Sequence, residues 1–215
     1  MRLLVVAAWE PELARFRSRA DGAELAGVEL AFEAIGVGVV EAAAGMTRCV
    51  IRHRPSAALL LGTCGAFAGK RDIGDVVTAV DVHLVDAAVV DGKAAIPPPM
   101  PIAAAFDLAL HDALVAAGAK SVHVANTVGI TVDDDLAARL ARSGDVEHLE
   151  AFAFARACAA EGVPCAVSLC VANIVGARGR AEWLANHISA SEKAADLAYD
   201  ALVRSSTTAR WPAPA

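Results

Sequence analysis

The sequence predicts an α/β protein, with a single three-layer α/β/α domain built around a mixed central sheet. Short apolar runs of strand length alternate with Ala-rich helical stretches along the chain, as in sheets that are covered on both faces. The length of 215 residues suits one domain with a sizeable core. Although 56% of the residues are hydrophobic, no apolar run approaches the ~20 residues that a membrane-spanning helix needs.

The individual elements follow from hydrophobic runs and from the prolines and glycines between them. Strands are expected at residues 3–8, 28–35, 57–61, 121–127 and 165–171, with two or three further strand segments within 73–90. Helices are expected at residues 12–19, 39–53, 103–117, 133–142, 146–161 and 180–204. The domain is therefore predicted to span residues 1–204, followed by a frayed tail at 205–215.

Charge and composition narrow the range of partners. The net charge is −6, only 5% of the residues are aromatic, and no basic stripe is present, so neither nucleic acid nor a membrane is an expected partner. Five cysteines without a CxxC pair predict reduced, buried thiols in a cytoplasmic protein. The six histidines lack metal-ligand spacing, and no metal site is predicted. The Gly36-Val37-Gly38 turn lacks the third glycine of a dinucleotide-binding fingerprint.

Polar residues follow the first and third predicted strands, where ligands of such sheets usually bind. Glu12 follows the first strand and is either a general base or an acid stabilised by the start of a helix; this window alone favours the second reading. Gly62 and Thr63 follow the third strand, where backbone N–H groups and a hydroxyl suit an oxygen-rich ligand, although a simple turn is the alternative. Cys64 has no identifiable histidine partner and is expected to be a buried thiol.

Two further positions in the C-terminal half stand out against apolar neighbours. Glu147 and Glu150 are three residues apart at the start of a predicted helix and would share one face. Glu150 suits a vicinal diol such as that of ribose, and an acidic first turn is equally consistent with the pattern. Asn173 interrupts an apolar stretch and offers a donor and an acceptor to a purine edge, or else belongs to a turn.

Taken in order, these segments resemble the nucleoside phosphorylase/nucleosidase superfamily over residues 3–201. Within it, they look most like the futalosine hydrolase branch. Residues 150–155 resemble its Glu-Gly-Phe-Gly-Val-Ala helix, residues 173–183 its Asn-x-Val-Gly-x-Arg-Asp-Arg-x-x-Trp segment, and residues 127–131 its Thr-rich base-site segment. The chain departs from this pattern at three places. Ala172 replaces the usual Ser, and Gly179 replaces the usual Asp. His148-Leu149 replaces a pair in which the second residue is more commonly Met.

The resemblance implies hydrolysis of the N-glycosidic bond of a purine nucleoside, above all of futalosine to hypoxanthine and dehypoxanthine futalosine in menaquinone biosynthesis, without a cofactor. The alternatives are a methylthioadenosine/S-adenosylhomocysteine-type nucleosidase, a purine nucleoside phosphorylase and a non-catalytic nucleoside-binding paralogue. It also implies a homodimer or larger homo-oligomer. By resemblance, Glu12 activates water and Asn173 stabilises the departing base, both as catalytic residues. The implied substrate-binding residues are Gly62, Thr63, Thr131, Leu149 and Glu150.

Two substitutions refine the implied reaction. The phosphorylases of the superfamily place an arginine at the position of Leu60, and an apolar side chain cannot neutralise phosphate, so water is the expected nucleophile. The nucleosidases that act on 6-aminopurines have Asp at the position of Asn173. An amide cannot protonate N7 but suits a 6-oxopurine, which favours hypoxanthine or guanine over adenine. Phe152 and Trp183 are expected to be packing residues that support the pocket.

Overall fold

The computed structural model describes residues 1–21 and 27–208, with side chains described as far as residue 204. The strands are β1 (Arg2–Ala7), β2 (Glu29–Ala34), β3 (Ala57–Ala66), β4 (Val76–Leu84), β5 (Ala103–Ala105), β6 (Lys120–Asn126), β7 (Val146–His148) and β8 (Cys165–Ile174). The helices are α1 (Ala14–Ala20), α2 (Val39–His53), α3 (Ala87–Val90), α4 (Leu108–Ala116), α5 (Asp134–Leu140), α6 (Ala151–Ala160) and α7 (Gly179–Thr208). A 3₁₀ turn at Glu10–Leu13 links β1 to α1.

The strands form one eight-stranded mixed sheet, as predicted. Strand β1 pairs in parallel with β2 and β3, and β3 continues in parallel to β8. Strand β8 then pairs antiparallel with β4, and β4 pairs in parallel with β6. Strand β6 pairs in parallel with β7, which pairs antiparallel with β3. Strands β3, β8, β4, β6 and β7 therefore close into a ring, which brings the ends of distant strands together.

Alternate residues of the central strands point to opposite faces of the sheet, and helices cover both faces. Leu4 and Val6 of β1 belong to a core shared with α2 and α6. Leu3 and Val5 belong to a second core shared with α1, α4 and α7. The three-layer prediction is thus confirmed. Double coverage also explains why these strands are continuous apolar runs.

Two strands extend beyond the ends predicted from their apolar runs. Strand β3 continues to Ala66, so Gly62 and Thr63 lie within a strand and not in a turn. Strand β8 continues to Ile174 and includes Asn173. Strands β3 and β8 stay paired beyond their apolar runs, because strand pairing depends on backbone hydrogen bonds and not on apolar side chains. The register shifts once, between Cys64 and Gly65.

Other predicted elements need correction. Val146–His148 is strand β7 and the helix begins only at Ala151, so Glu147 and Glu150 do not share a helix face. The stretch 73–90 contains one long strand, β4, and the short helix α3. Likewise, Ala103–Ala105 pairs with β4 as strand β5, before α4 begins. These short strands exist because a distant strand offers a free edge, which local periodicity does not reveal.

The division into a domain at residues 1–204 and a frayed tail at 205–215 stays a prediction. Helix α7 extends to Thr208, and residues 209–215 of the expected tail lie outside the described residues. The five cysteines are buried and free, as the sequence predicts. None of the described helices combines the length and the apolar character needed to cross a membrane.

Gly45 allows α2 to approach the end of β2 closely. A Cβ atom at this position would lie 2.0 Å from the carbonyl oxygen of Ile35, the residue just after β2. Ile35 is itself buried, so the carbonyl has little freedom to move away. The contact fixes the start of the turn that leads into α2.

We expect Gly45→Ala to destabilise the fold by about 1–3 kcal/mol, although alanine has the higher helix propensity, because the added methyl group clashes with rigid backbone. Urea unfolding measures the change. Gly129→Ala is the matched control, since a Cβ there meets nothing within 4 Å. Equal stability of the two variants would show that α2 can shift away from Ile35.

Candidate active site

A cavity of about 450 Å³ opens where the carboxyl ends of β1, β3 and β8 meet. Its volume lies within the range of small-molecule sites. Five residues predicted from the sequence line it together: Glu12, Thr63, Leu149, Glu150 and Asn173. Gly62 and Thr131 are not lining residues: Thr131 donates hydrogen bonds to the lining Glu147, and Gly62 leaves space beside the lining Glu12.

Glu12 lies in the 3₁₀ turn after β1, and its side chain is buried at the cavity. Burial, and secondarily the charge of Glu150, raises the pKa of Glu12 to about 8, while hydrogen bonds from Trp9 and Thr63 limit the rise. Gly62 provides the room for this carboxylate, since a Cβ there would lie 3.2 Å from Glu12 Oε1. The acid is therefore poised to exchange a proton near neutral pH.

The side chain of Glu150 is anchored by the backbone of a distant turn. Glu150 occupies the N-cap position of α6, and its Oε1 accepts a hydrogen bond of 2.7 Å from the backbone N–H of Gly38. Gly38 has a φ of 84°, a left-handed conformation that favours glycine. The predicted Gly36-Val37-Gly38 turn thus supports the site, and Val37 also lines the cavity.

His148 determines how the chain enters α6, a role that the sequence did not reveal. Its Nδ1 accepts hydrogen bonds of 3.1 Å from the backbone N–H groups of Glu150 and Ala151. The same Nδ1 also lies 3.2 Å from Oε2 of Glu150, so the ring contacts both the backbone and the carboxylate at the start of α6. Burial lowers the pKa of His148 even though the Glu150 carboxylate opposes this, so the ring stays neutral.

Asn126 is a second residue that sequence reasoning missed. It is fully buried at the end of β6, where its Nδ2 donates to the carbonyl of Leu149 and its Oδ1 accepts from the backbone N–H of Phe152. These bonds fix the turn that carries Leu149 and Glu150. The available signal was a polar residue at the end of an apolar strand, the same signal that identified Asn173.

Thr131 supports a third buried acid. Its hydroxyl and its backbone N–H both donate to the carboxylate of Glu147, which lines the cavity. Burial raises the pKa of Glu147, although the bonds from Thr131 lower it in part. Thr131 thus positions Glu147 in this structure, and its own contact with substrate stays a prediction.

Asn173 is half-buried at the end of β8, with two glycines against its amide. Its Nδ2 donates to the carbonyl of Ile174, and no described residue donates to its Oδ1. A Cβ at Gly65 or at Gly179 would lie 2.9 or 3.0 Å from Nδ2. Gly179, one of the departures from the futalosine hydrolase pattern, therefore makes room for this side chain.

Trp183 lines the cavity, so the prediction of a mere packing role is incomplete. Its indole N–H donates to the hydroxyl of Thr63 at 3.1 Å, and its ring stacks on His187. Phe152 is buried in the core and does not line the cavity, in agreement with the packing prediction. Leu60 is also fully buried and away from the cavity.

Replacing Glu12 tests the cost of burying its charge. Between pH 4.5 and about 8 the folded protein keeps the Glu12 proton that the unfolded chain releases, so stability falls as the pH rises through this range. Glutamine has no charge to bury. We expect Glu12→Gln to be more stable than the parent protein at pH 9, by on the order of 1–3 kcal/mol, with a smaller difference at pH 5.

Urea midpoints at pH 5, 7 and 9 measure this difference. Glu10→Gln is the control, because Glu10 is an exposed acid in the same turn and is paired with Arg17. A Glu12→Gln difference that does not change with pH would mean that the carboxyl ionises as freely in the folded protein as in the unfolded chain.

Comparison with known proteins places the chain in a family. Residues 23–205 match the model of the Phosphorylase superfamily. Futalosine hydrolase of Thermus thermophilus is 30% identical over 172 residues, covering 74% of this chain and 76% of that protein. The 5′-methylthioadenosine/S-adenosylhomocysteine nucleosidase of Chromohalobacter salexigens is 32% identical over 164 residues, covering 71% and 70% respectively.

The fold agrees with this match. The structure of a futalosine hydrolase mutant of Helicobacter pylori superposes with a TM-score of 0.83 at 15% identity, covering 95% of this chain and 99% of that one. From its sequence match and from its sheet topology, this chain belongs to the phosphorylase superfamily.

Proposed function

We propose that this protein hydrolyses the N-glycosidic bond of a purine nucleoside, with futalosine as the preferred substrate and hypoxanthine as the released base. The observation that carries the proposal is the pair of buried carboxylates, Glu12 and Glu150, that line one cavity together with Asn173. Relatives named futalosine hydrolase and nucleosidase support an N-glycosidase.

Glu12 acts as the general base in this proposal. A water molecule attacks C1′ of the ribose and transfers a proton to the Glu12 carboxylate. The electron pair of the C1′–N9 bond leaves with the purine. The pKa of about 8 makes Glu12 a strong enough base for this transfer.

Glu150 binds the sugar. Its Oε1 is already fixed by Gly38, so the carboxylate is held in place before a ligand arrives. Its remaining lone pairs accept hydrogen bonds from the 2′- and 3′-hydroxyls of ribose. The positive charge that develops on the sugar as the glycosidic bond breaks is stabilised by both carboxylates, and their mutual repulsion is relieved at the same time.

Asn173 binds the base. As the C1′–N9 bond breaks, N7 of the purine takes up a proton from solvent water in the open cavity, since the amide has none to give. Oδ1 of Asn173 has no donor among the described residues and accepts this N7–H, while Nδ2 donates to the 6-oxo group. Adenine has an amino group at position 6, and this hydrogen-bond donor would face the donor Nδ2 of Asn173. The amide therefore favours hypoxanthine, the base of futalosine.

Water is the proposed nucleophile because the buried part of the cavity, beside Glu12 and Glu150, has no positive charge to bind phosphate. Glu12, Glu147 and Glu150 are all acids, and the side chain of Leu60, where phosphorylases have an arginine, is in the core. A phosphate dianion beside these carboxylates would be repelled. The role in menaquinone biosynthesis, the cytoplasmic location and the homodimeric or larger assembly stay predictions.

A substrate comparison tests the reaction. We expect the pure protein to release hypoxanthine from futalosine without phosphate, with kcat/KM about tenfold or more above that for inosine or methylthioadenosine. Chromatographic assay of the free base, with and without phosphate, measures this. Strict dependence on phosphate would contradict the argument from Leu60. Adenine release with futalosine ignored would favour the methylthioadenosine/S-adenosylhomocysteine-type nucleosidase, and no release at all would indicate a nucleoside-binding paralogue.

The pH profile tests the base. Because Glu12 acts only when deprotonated, kcat/KM should rise about tenfold per pH unit below pH 8 and level off above it. Glu12→Gln should retain substrate binding but lose about 10²–10⁴-fold in kcat, with Glu10→Gln as the control. A flat profile between pH 6 and 9, or an active Glu12→Gln variant, would remove Glu12 from this role.

A further inference from the structure

A second cavity, of about 420 Å³, lies beside strands β4 and β6 and shares no lining residue with the candidate active site. Two basic side chains, Lys70 and Arg142, and two histidines, His83 and His123, line it together with the turn before β7. No aromatic or large aliphatic side chain is among its described lining residues. The volume suits a small molecule, and the lining suits a polar one.

The turn that carries Arg142 is fixed against β6. A Cβ atom at Gly144 would lie 2.7 Å from the backbone nitrogen of Ala125 and 2.9 Å from the carbonyl oxygen of His123, so only glycine fits here. The carboxylate of Asp145 accepts a hydrogen bond of 3.0 Å from the backbone N–H of His123, and the N–H of Asp145 donates to the carbonyl of His123 at 2.8 Å. This wall of the cavity is therefore held in place by backbone contacts.

Positive charge exceeds negative charge on the lining, although the whole chain carries a net charge of −6. Arg142 is exposed and forms no ion pair or hydrogen bond with a described side chain. Lys70 lies 3.5 Å from Asp145, the one acid among the described lining residues. That carboxylate is already engaged by the backbone of β6. A guanidinium and an ammonium group beside one cavity are typical of a site for an anion.

The two histidines share one carboxylate. His123 Nδ1 lies 2.8 Å from Oδ1 of Asp81, and His83 Nε2 lies 3.7 Å from the same oxygen. An ionised carboxylate only accepts hydrogen bonds, so Nδ1 of His123 carries a proton, and Nε2 has no partner among the described residues. In a neutral ring this Nε2 is an acceptor, and it becomes a donor when the ring is protonated. Histidine ordinarily gains this proton between pH 8 and pH 5, so the cavity becomes a better anion site as the pH falls.

We propose that this cavity binds the phosphate group of a small phosphorylated molecule, held by Arg142 and Lys70 and, as the pH falls, by His123. Asp81 stabilises the protonated imidazole, whereas the two cations oppose it until an anion lies between them. Asp145 is the group that repels the ligand, and its bonds to β6 limit this effect. The cavity is larger than one phosphate group, which leaves space for a polar remainder such as glycerol or a sugar. The proposal is independent of the reaction at the active site.

Titration calorimetry at pH 7.5 tests the site with glycerol 3-phosphate and with inorganic phosphate as probes. We expect saturable binding of the ester, with a Kd of about 1 mM or below and tighter than that of inorganic phosphate. Arg142→Leu should weaken the ester about 5- to 20-fold, and Arg142→Lys should weaken it less. Arg156→Leu is the matched control and should change the Kd less than about twofold. Arg156 is an exposed arginine of α6 outside this cavity and without an ion pair to a described residue.

Sulfate tests the contribution of the histidine, because this dianion keeps its charge while phosphate gains a proton in the same range. We expect sulfate to bind about tenfold more tightly at pH 5.5 than at pH 7.5. His123→Gln keeps a donor for Asp81 but cannot gain a charge. This variant should lose most of the rise and stay within about twofold of the parent protein at pH 7.5.

Absence of saturable binding would overturn the proposal. Equal weakening by Arg142→Leu and Arg156→Leu would overturn it as well, because it would show an effect of overall charge and not of a site. Inorganic phosphate that binds as tightly as the ester would assign the cavity to the free ion and not to a phosphorylated molecule. A sulfate affinity that does not change with pH would remove His123 from the site. Failure of the proposed function is distinguishable, since it appears as absence of base release while these Kd values are still measured.

Discussion

The burial of like charges at one cavity is the constraint on which the rest of the site depends. Glu12 and Glu150 would each be better solvated on the surface, and the charge of Glu150 adds to the burial that raises the pKa of Glu12. Such an arrangement persists only when the surrounding fold holds it in place. In the proposed reaction, the positive charge that develops on the sugar forms beside these two carboxylates and is stabilised by them.

The closed ring of strands supplies the rigidity. Glu12 follows β1, Glu150 follows β7, and Asn173 ends β8, so three distant segments meet only because these strands share one sheet. Local contacts then set the final positions. Gly62 gives the Glu12 carboxylate its space, Gly38 binds Glu150, and Asn126 ties the turn before α6 to the end of β6. Glu12 and Glu150 are therefore positioned by uncharged groups, namely two glycines and an asparagine.

The sequence predicts well what depends on local pattern. Continuous apolar runs identify β1, β3 and β8, and polar residues at their ends identify Glu12 and Asn173 as candidates. Strand β7 could not be predicted, since its three residues are a strand only because β3 and β6 lie on either side. The bonds of His148 likewise exist only once the turn before α6 has formed. Nothing in a linear pattern tells which nitrogen of such a ring faces the backbone.

Two departures from the futalosine hydrolase pattern, Ala172 and Gly179, differ in how close they lie to the cavity. Ala172 packs with Ala190 and Ala194 of α7, so the change from serine alters a helix contact and leaves the cavity lining intact. Gly179 touches the amide of Asn173, where any side chain would press on Nδ2. With no carboxylate at 179, the amide is held by the carbonyl of Ile174 alone and its Oδ1 stays available. If Asn173 binds the base as proposed, Gly179 is the substitution with consequences for the substrate, because it leaves recognition of the base to a single uncharged side chain.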